Sequence, residues 1–233
     1  MPWPQHLLDG QESIHQQTTM SAPIKPQLRG VLHQISFFVA LAAGGWLLTR
    51  ASGAMFWACL VYLAALCGQL AVSALYHRLT WAPQARQWWR RLDHSFIMIL
   101  IAGTGTPLAV ALPTDSPRTV FLLVLWGGAA LGVLRALVWI TAPKPLVALL
   151  ALALAWFSSP FMPALSTVMG TTGVVWLLAG GVIYSLGAVA YALKRPDPWP
   201  TVFGYHEVFH TLVVVGAACH FVTVTRVVLG MAG

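Results

Sequence analysis

Three short stretches of this chain carry side chains able to bind a metal, at spacings that suit a helix. "YHEVFHTL" holds His206, Glu207 and His210 as H-E-x-x-H. Residues four apart lie one above the other on a helix, so both imidazoles can reach one ion. "SALYH" holds Ser73 and His77, again four apart, and "RRLDHSF" holds Asp93 beside His94. Three neutral imidazoles that leave one position for water suit a catalytic zinc ion, and a nearby carboxylate can accept or orient a proton. His77, His206 and His210 are therefore the expected metal ligands, and Asp93 the expected base. Ser73 has two readings: a hydroxyl that bonds a ligand, the water or a substrate carbonyl, or one bonded back to the carbonyl four residues earlier.

H-E-x-x-H is also the zinc signature of many metalloproteases, and the sequence tests that reading. A metzincin-type extension needs Gly at 213 and His at 216, where this chain has Val213 and Gly216. No acidic residue follows Glu207, so no downstream carboxylate can complete the site. His220 lies ten residues beyond His210, about 15 Å along a helix, which is too far. The third ligand must come from upstream, and His77 is the best placed.

The elements that must position these residues are membrane helices. The chain has 233 residues, 58% hydrophobic and only 8% charged, with a mean hydropathy of +0.74, whereas soluble domains carry about 25% charged residues. A bilayer core of about 30 Å needs about 20 apolar residues per helix. Apolar runs near 31–49, 54–76, 93–112, 119–140, 145–165, 171–193 and 207–229 meet that need. The fifth is interrupted near its end by Pro160 and Pro163. The loops "LPTDSPR", "TAPKP" and "KRPDPWP" are short and proline-punctuated, and place Asp115 and Asp197 between helices. The expected fold is an all-α integral membrane protein, a seven-transmembrane helix bundle over residues 28–233, after a flexible polar tail at 1–27.

Orientation follows from charge. With the N-terminus cytoplasmic and the C-terminus outside, the cytoplasmic side receives Lys25, Arg29, Arg78, Arg86, Arg90, Arg91, Arg135, Lys144, Lys194 and Arg195. The other side receives only Arg50, Arg118 and Arg226. Ten against three satisfies the positive-inside rule. The net charge of +7 is thus read as topology, and no nucleic-acid partner is expected. His77, Asp93, His206 and His210 then share one cytoplasmic depth, where an ionisable residue is a functional candidate.

The remaining unusual residues get plainer expectations. His33 and His220 are expected to hydrogen-bond backbone carbonyls, and His6 and His15 to be solvated in the tail. His94 points about 100° away from Asp93 on a helix, as 3.6 residues per turn dictates. Cys59, Cys67 and Cys219 form no C-x-x-C pair and read as small apolar fillers. The first 26 residues lack an apolar core segment, so no cleavable signal peptide is expected.

"SALYH", "RRLDHSFIMILIAGTGTPLAV" and "KRPDPWPTVFGYHEVFHTLVVVGAACHF" together resemble the bacterial hemolysin III proteins. These are grouped with the progestin and adipoQ receptors, in a wider superfamily of seven-helix membrane proteins that includes alkaline ceramidases. The resemblance runs from about Arg29 to the C-terminus. It implies that His77, His206 and His210 bind zinc, that Asp93 holds the water and that Ser73 is the serine of the second-span motif. It further implies hydrolysis of lipid amide bonds, membrane-lipid homeostasis and a place in the bacterial inner membrane. Two positions depart from or qualify the pattern. Gly105 stands where the bacterial family commonly has an aromatic residue, and its loss can either widen a cavity or ease helix packing. The position of Glu207 can be a neutral amide across the family, which favours Asp93 as the base.

The expected function is zinc-dependent hydrolysis of a lipid-like amide or ester that enters from the bilayer, with a membrane lipid as substrate. In this reading Asp93 moves the proton and Ser73 helps stabilise the developing oxyanion. Pro107 and the small residues around it loosen the third helix beside the cavity. Two other classes stand beside it: a membrane sensor with structural zinc, and a pore-forming cytolysin. The spans lack the recurrent polar stripe that a conducting pore needs.

Overall fold

A computed structural model describes residues 25–112 and 115–232. The histidines and carboxylates of the tail, and most of the predicted tail itself, lie outside the described residues. The described chain is all-α. Its helices are α1 Val31–Leu48, α2 Gly53–Arg78, α3 Pro83–Val110, α4 Asp115–Val138 and α5 Lys144–Trp156. A 3-10 turn at Ser159–Phe161, then α6 Met162–Leu193 and α7 Tyr205–Ala232, complete it.

By length and apolar composition, six helical stretches among the described residues can cross a membrane, one of them the 50-residue run Lys144–Leu193. α5 alone has 13 residues, about 20 Å, short of a bilayer core of about 30 Å. It does not stand alone. Pro160 and Pro163 sit in the first turns of the 3-10 turn and of α6, where a missing N–H costs nothing. The helical path therefore continues past both prolines. It breaks at Gly170, with φ 68° and ψ 173°, a backbone region essentially confined to glycine. Trp156 Nε1 donates to Ser185 Oγ at 3.1 Å, and the Lys144 ammonium lies 4.2 Å from the centre of the Tyr191 ring. Both pairs straddle Gly170 almost symmetrically, so the chain doubles back there and its two arms run antiparallel.

Two expected boundaries shift. α3 begins at Pro83, ten residues before the apolar run, because Pro83 is preorganised for a first helical turn. The basic turn that follows carries an exposed Trp88 with the Arg91 guanidinium 4.9 Å above its ring. Asp115 opens α4 and does not lie in a loop.

Inside the bundle, small residues let helices approach closely, as membrane packing favours. A Cβ on Gly103 of α3 would lie 2.5 Å from the Cβ of Ala65 on α2. A Cβ on Gly105 would lie 2.1 Å from Leu125 Cδ1 and 3.3 Å from Phe121 on α4. Gly105 is thus a helix-packing position, and Leu125 and Phe121 fill the space an aromatic residue would need. Cys59, Cys67 and Cys219 are buried and unpaired. The outer surface is apolar, with Phe38, Leu123, Leu131 and Leu193 all more than 60% exposed. Lipid is the solvent such a surface fits. The chain is a multi-pass integral membrane protein.

Candidate metal centre

α2 ends at Arg78, which puts His77 in its last turn, and α7 starts at Tyr205, which puts His206 and His210 in its first two turns. One ligating atom from each histidine lies within 4.8 Å of the other two. The Nε2 atoms of His77 and His206 are 3.2 Å apart. Two nitrogens on one tetrahedral ion, with Zn–N distances of about 2.0–2.1 Å, stand about 3.3 Å apart. The three rings crowd together, with centroids 4.5–4.9 Å from one another. The donor set is all imidazole nitrogen, which suits a borderline-soft divalent metal such as zinc. The residues present therefore fit the expected ion.

Asp93, buried on α3, brings Oδ2 to 3.9 Å from His77 Nε2. The Ser73 hydroxyl lies near its carboxylate, while Oδ1 is buried and has no partner. Ser73 thus sits one turn before His77 and beside the neighbouring acid. His94 stays out of the cluster, with a buried and unpartnered Nδ1.

The start of α7 is fixed by three carboxylate oxygens. Asp197 Oδ1 accepts the Tyr205 N–H at 2.7 Å, and Glu207 Oε2 accepts the Gly204 N–H at 2.9 Å. The second of these is the return half of a capping box, satisfying a donor that the helix leaves orphaned. The other oxygen of Glu207 is bonded by Arg29 Nε in an ion pair. Both oxygens of the glutamate inside H-E-x-x-H are therefore committed to structure.

Arg29 belongs to a segment that closes over His77. The Gln27 and Leu28 N–H groups donate to the Thr201 and Val202 carbonyls at 3.1 and 3.2 Å. Lys25 Nζ donates to the Arg78 carbonyl at 3.0 Å. Gly30 follows at φ +79°, and a Cβ there would meet His77 Cβ at 2.9 Å. Only glycine combines that φ with so close an approach.

The expectation for His33 fails. It is 1% exposed, and neither ring nitrogen has a hydrogen-bond partner. Its ring instead stacks on His210, with centroids 4.0 Å apart and planes 13° off parallel. A lone histidine on an apolar helix gave no hint of this, because its contact is to the last helix. His220 behaves as expected, with Nε2 3.3 Å from the Leu177 carbonyl oxygen. Arg29, Gly30 and His33 are the centre's neighbours that sequence reasoning missed. The one available signal was the short path from the basic Arg29 to His33 at the start of the first apolar run.

Comparison with known proteins gives a consistent picture. Residues 22–221 match the haemolysin-III related family. The "Hemolysin-3 homolog" of Bacillus subtilis (strain 168) is 26% identical over 130 residues, 56% of this chain and 58% of that protein. "Hemolysin-3" of Bacillus cereus is 27% identical over 147 residues, 63% of this chain and 64% of that protein. In both, the match spans less than two thirds of the relative's own length. The "Heptahelical transmembrane protein ADIPOR2" of Oryza sativa subsp. japonica is 30% identical over 184 residues, 72% of this chain and 80% of that protein. With a family match across most of its length and ADIPOR-like relatives beside it, this chain belongs to the haemolysin-III related family.

Proposed function

We propose that this protein is a zinc-dependent hydrolase of a lipid amide, ceramidase-like, or of a related lipid bond, acting in membrane-lipid homeostasis in the bacterial inner membrane. The observation that carries this reading is the buried cluster of His77, His206 and His210 beside an Asp93 carboxylate with one oxygen unpartnered. A zinc ion held there would supply Lewis acidity, polarising a carbonyl and acidifying a water molecule.

The chain's own residues do the rest. Asp93 Oδ1 takes the proton from the attacking water and returns it to the leaving amine or alcohol. Ser73 lies beside the Asp93 carboxylate, so its role is first to position the base. Glu207 has no free oxygen for such a step, which argues against a protease-type mechanism. Burial of the cluster keeps bulk water out and strengthens each electrostatic contact. In the membrane, seven crossings with the N-terminus cytoplasmic place the centre near the cytoplasmic face. The fold-back at Gly170 and the heptahelical name of the rice relative support that count.

Metal analysis with a lipid-amide panel tests the proposal. Wild-type protein should bind about one zinc ion and hydrolyse at least one long-chain lipid amide. Asp93→Asn should keep the metal and lose turnover, whereas His77→Ala and His210→Ala should lose both. Full zinc loading without hydrolysis across the panel, with Asp93→Asn indistinguishable from wild type in the cell, would instead assign the centre to a sensor with structural zinc. Leakage of liposomes at low protein concentration would favour the cytolysin reading that the bacterial relatives' name suggests.

A further inference from the structure

Away from the three histidines, α4 carries a second polar group at odds with its surroundings. Arg135 lies in the last turn of α4, and its Nε, Nη1 and Nη2 are all buried with no hydrogen-bond partner. It lines a cavity of about 320 Å³ between α3, α4 and α5, walled by Met98, Leu131, Leu154 and Phe157. Leu131 is 70% exposed, so the cavity opens on the lipid-facing side of the bundle.

An unpaired guanidinium away from water is costly, and buried charges are otherwise paired. No carboxylate among the described residues answers it. Glu207 is paired with Arg29, Asp197 caps α7 and Asp93 turns Oδ2 towards His77. Asp115 lies at the far end of α4, 20 residues away, about 30 Å along a helix. The negative end of the α4 dipole favours a cation at Arg135 but supplies no bonding partner. A snorkelling arginine would reach its nitrogens outward to water, and these are enclosed. Among the described residues none supplies the counter-charge, and the cavity beside the guanidinium is where a ligand would supply it.

Its depth says from where. Arg135 is one turn from Trp139, and Trp139 and Trp88 are 49% and 59% exposed at this end of the bundle. Such exposed aromatics mark the headgroup level, where phosphates lie. A guanidinium fork matches two phosphate oxygens at once. The cavity volume is near the low end for ligand sites, about 300–1,000 Å³, which suits one acyl chain and leaves the second in the bilayer. We infer that Arg135 and this cavity, whose lining includes none of the three histidines, form a binding site for an anionic phospholipid, with phosphate on the guanidinium and one acyl chain against Met98, Leu131, Leu154 and Phe157.

Native mass spectrometry of the purified full chain tests this with palmitoyl-oleoyl phosphatidylglycerol and the matching phosphatidylcholine as probes. Wild type should retain phosphatidylglycerol at least tenfold more tightly. Arg135→Gln should abolish that preference, and Arg135→Lys should keep only part of it. Leu131→Trp changes a lipid-facing side chain and blocks the cavity mouth with Arg135 intact, so it should weaken phosphatidylglycerol at least fivefold even if Arg135→Gln fails to fold. Arg91→Gln, a nearby arginine with partners of its own, should leave the preference unchanged. Equal retention of both lipids by wild type, an unchanged preference in Arg135→Gln or unchanged binding in Leu131→Trp overturns the site. Displacement by oleate at equal concentration would assign a carboxylate lipid instead, and displacement by inorganic phosphate alone would remove the acyl chain from the argument.

Discussion

Glu207→Ala removes one carboxylate that makes two contacts at once. The Glu207 side chain is 2% exposed and its partner Arg29 is 22% exposed. Deleting one member of a buried ion pair costs about 3–5 kcal/mol, and Arg29's partial exposure puts this pair at about 3 kcal/mol. Loss of the cap on the Gly204 N–H adds about 1 kcal/mol. The sum is about 4 kcal/mol. At the roughly 2–4 °C per kcal/mol of chains this size, the expected fall in Tm is about 10 °C. Glu207→Gln keeps one acceptor oxygen for the cap but turns an NH2 towards Arg29, so about three quarters of that fall is expected. Cys59, Cys67 and Cys219 are free and buried, so a thiol-reactive dye reports unfolding in detergent without any added label. A double-mutant cycle with Arg29→Ala should give a coupling energy above about 1 kcal/mol. Zinc content and any hydrolysis should persist in Glu207→Gln at temperatures where it remains folded. The reasoning is refuted if Glu207→Gln keeps its Tm within about 1 °C but loses turnover by more than 100-fold, the behaviour of a catalytic base.

Other perturbations read different parts of the same centre. Gly30→Ala forces a side chain into positive φ and against His77, so it should cost about 2 kcal/mol and weaken zinc binding about tenfold, measured by competition with a chromophoric chelator. His33→Phe retains a ring to stack on His210 and should keep metal and stability near wild type, whereas His33→Ala should lower Tm by opening a cavity; equal effects of the two would show that the nitrogens, not the ring, matter. Stripping the metal with a strong chelator should lower Tm, and zinc at about 1,000 times its Kd should restore about 4 kcal/mol; a Tm indifferent to chelation would mean the cluster holds no ion. Gly105→Ala should destabilise by about 1–3 kcal/mol through overpacking against Leu125, read by the same dye assay.

The parts of the centre written at helical spacing were legible without the structure. Ser73 with His77, and His206 with His210, are local pairs whose geometry a helix dictates, and the placement of Asp93 followed from the order of the apolar runs. Glu207 shows where that reading stops. Its partner Arg29 is 178 residues away, and no local pattern encodes such a pairing, so Arg29 was counted only as a cytoplasmic charge. His33 was hidden for the same reason, since ring stacking on His210 leaves no signature in an apolar helix. The fifth span was obscured by Pro160 and Pro163, which read as breakers although each sits where a helical turn tolerates proline. The real break, Gly170, reads as one glycine among the 20 in the chain.

The long separation between Arg29 and Glu207 has a consequence for biogenesis. α1 enters the bilayer with His33 on it and Arg29 just before it, but Glu207 and His210 belong to α7, and Glu207 is synthesised 178 residues after Arg29. Through most of synthesis the first helix has neither its counter-charge nor its stacking partner, and His77 has no companion ligands. The histidine cluster is therefore closed only when α7 inserts, and a chain stopped before α7 has no way to assemble it. A metal ion held by the three histidines would report that α1, α2 and α7 have been synthesised, inserted and docked, a marker of assembly at this end of the bundle.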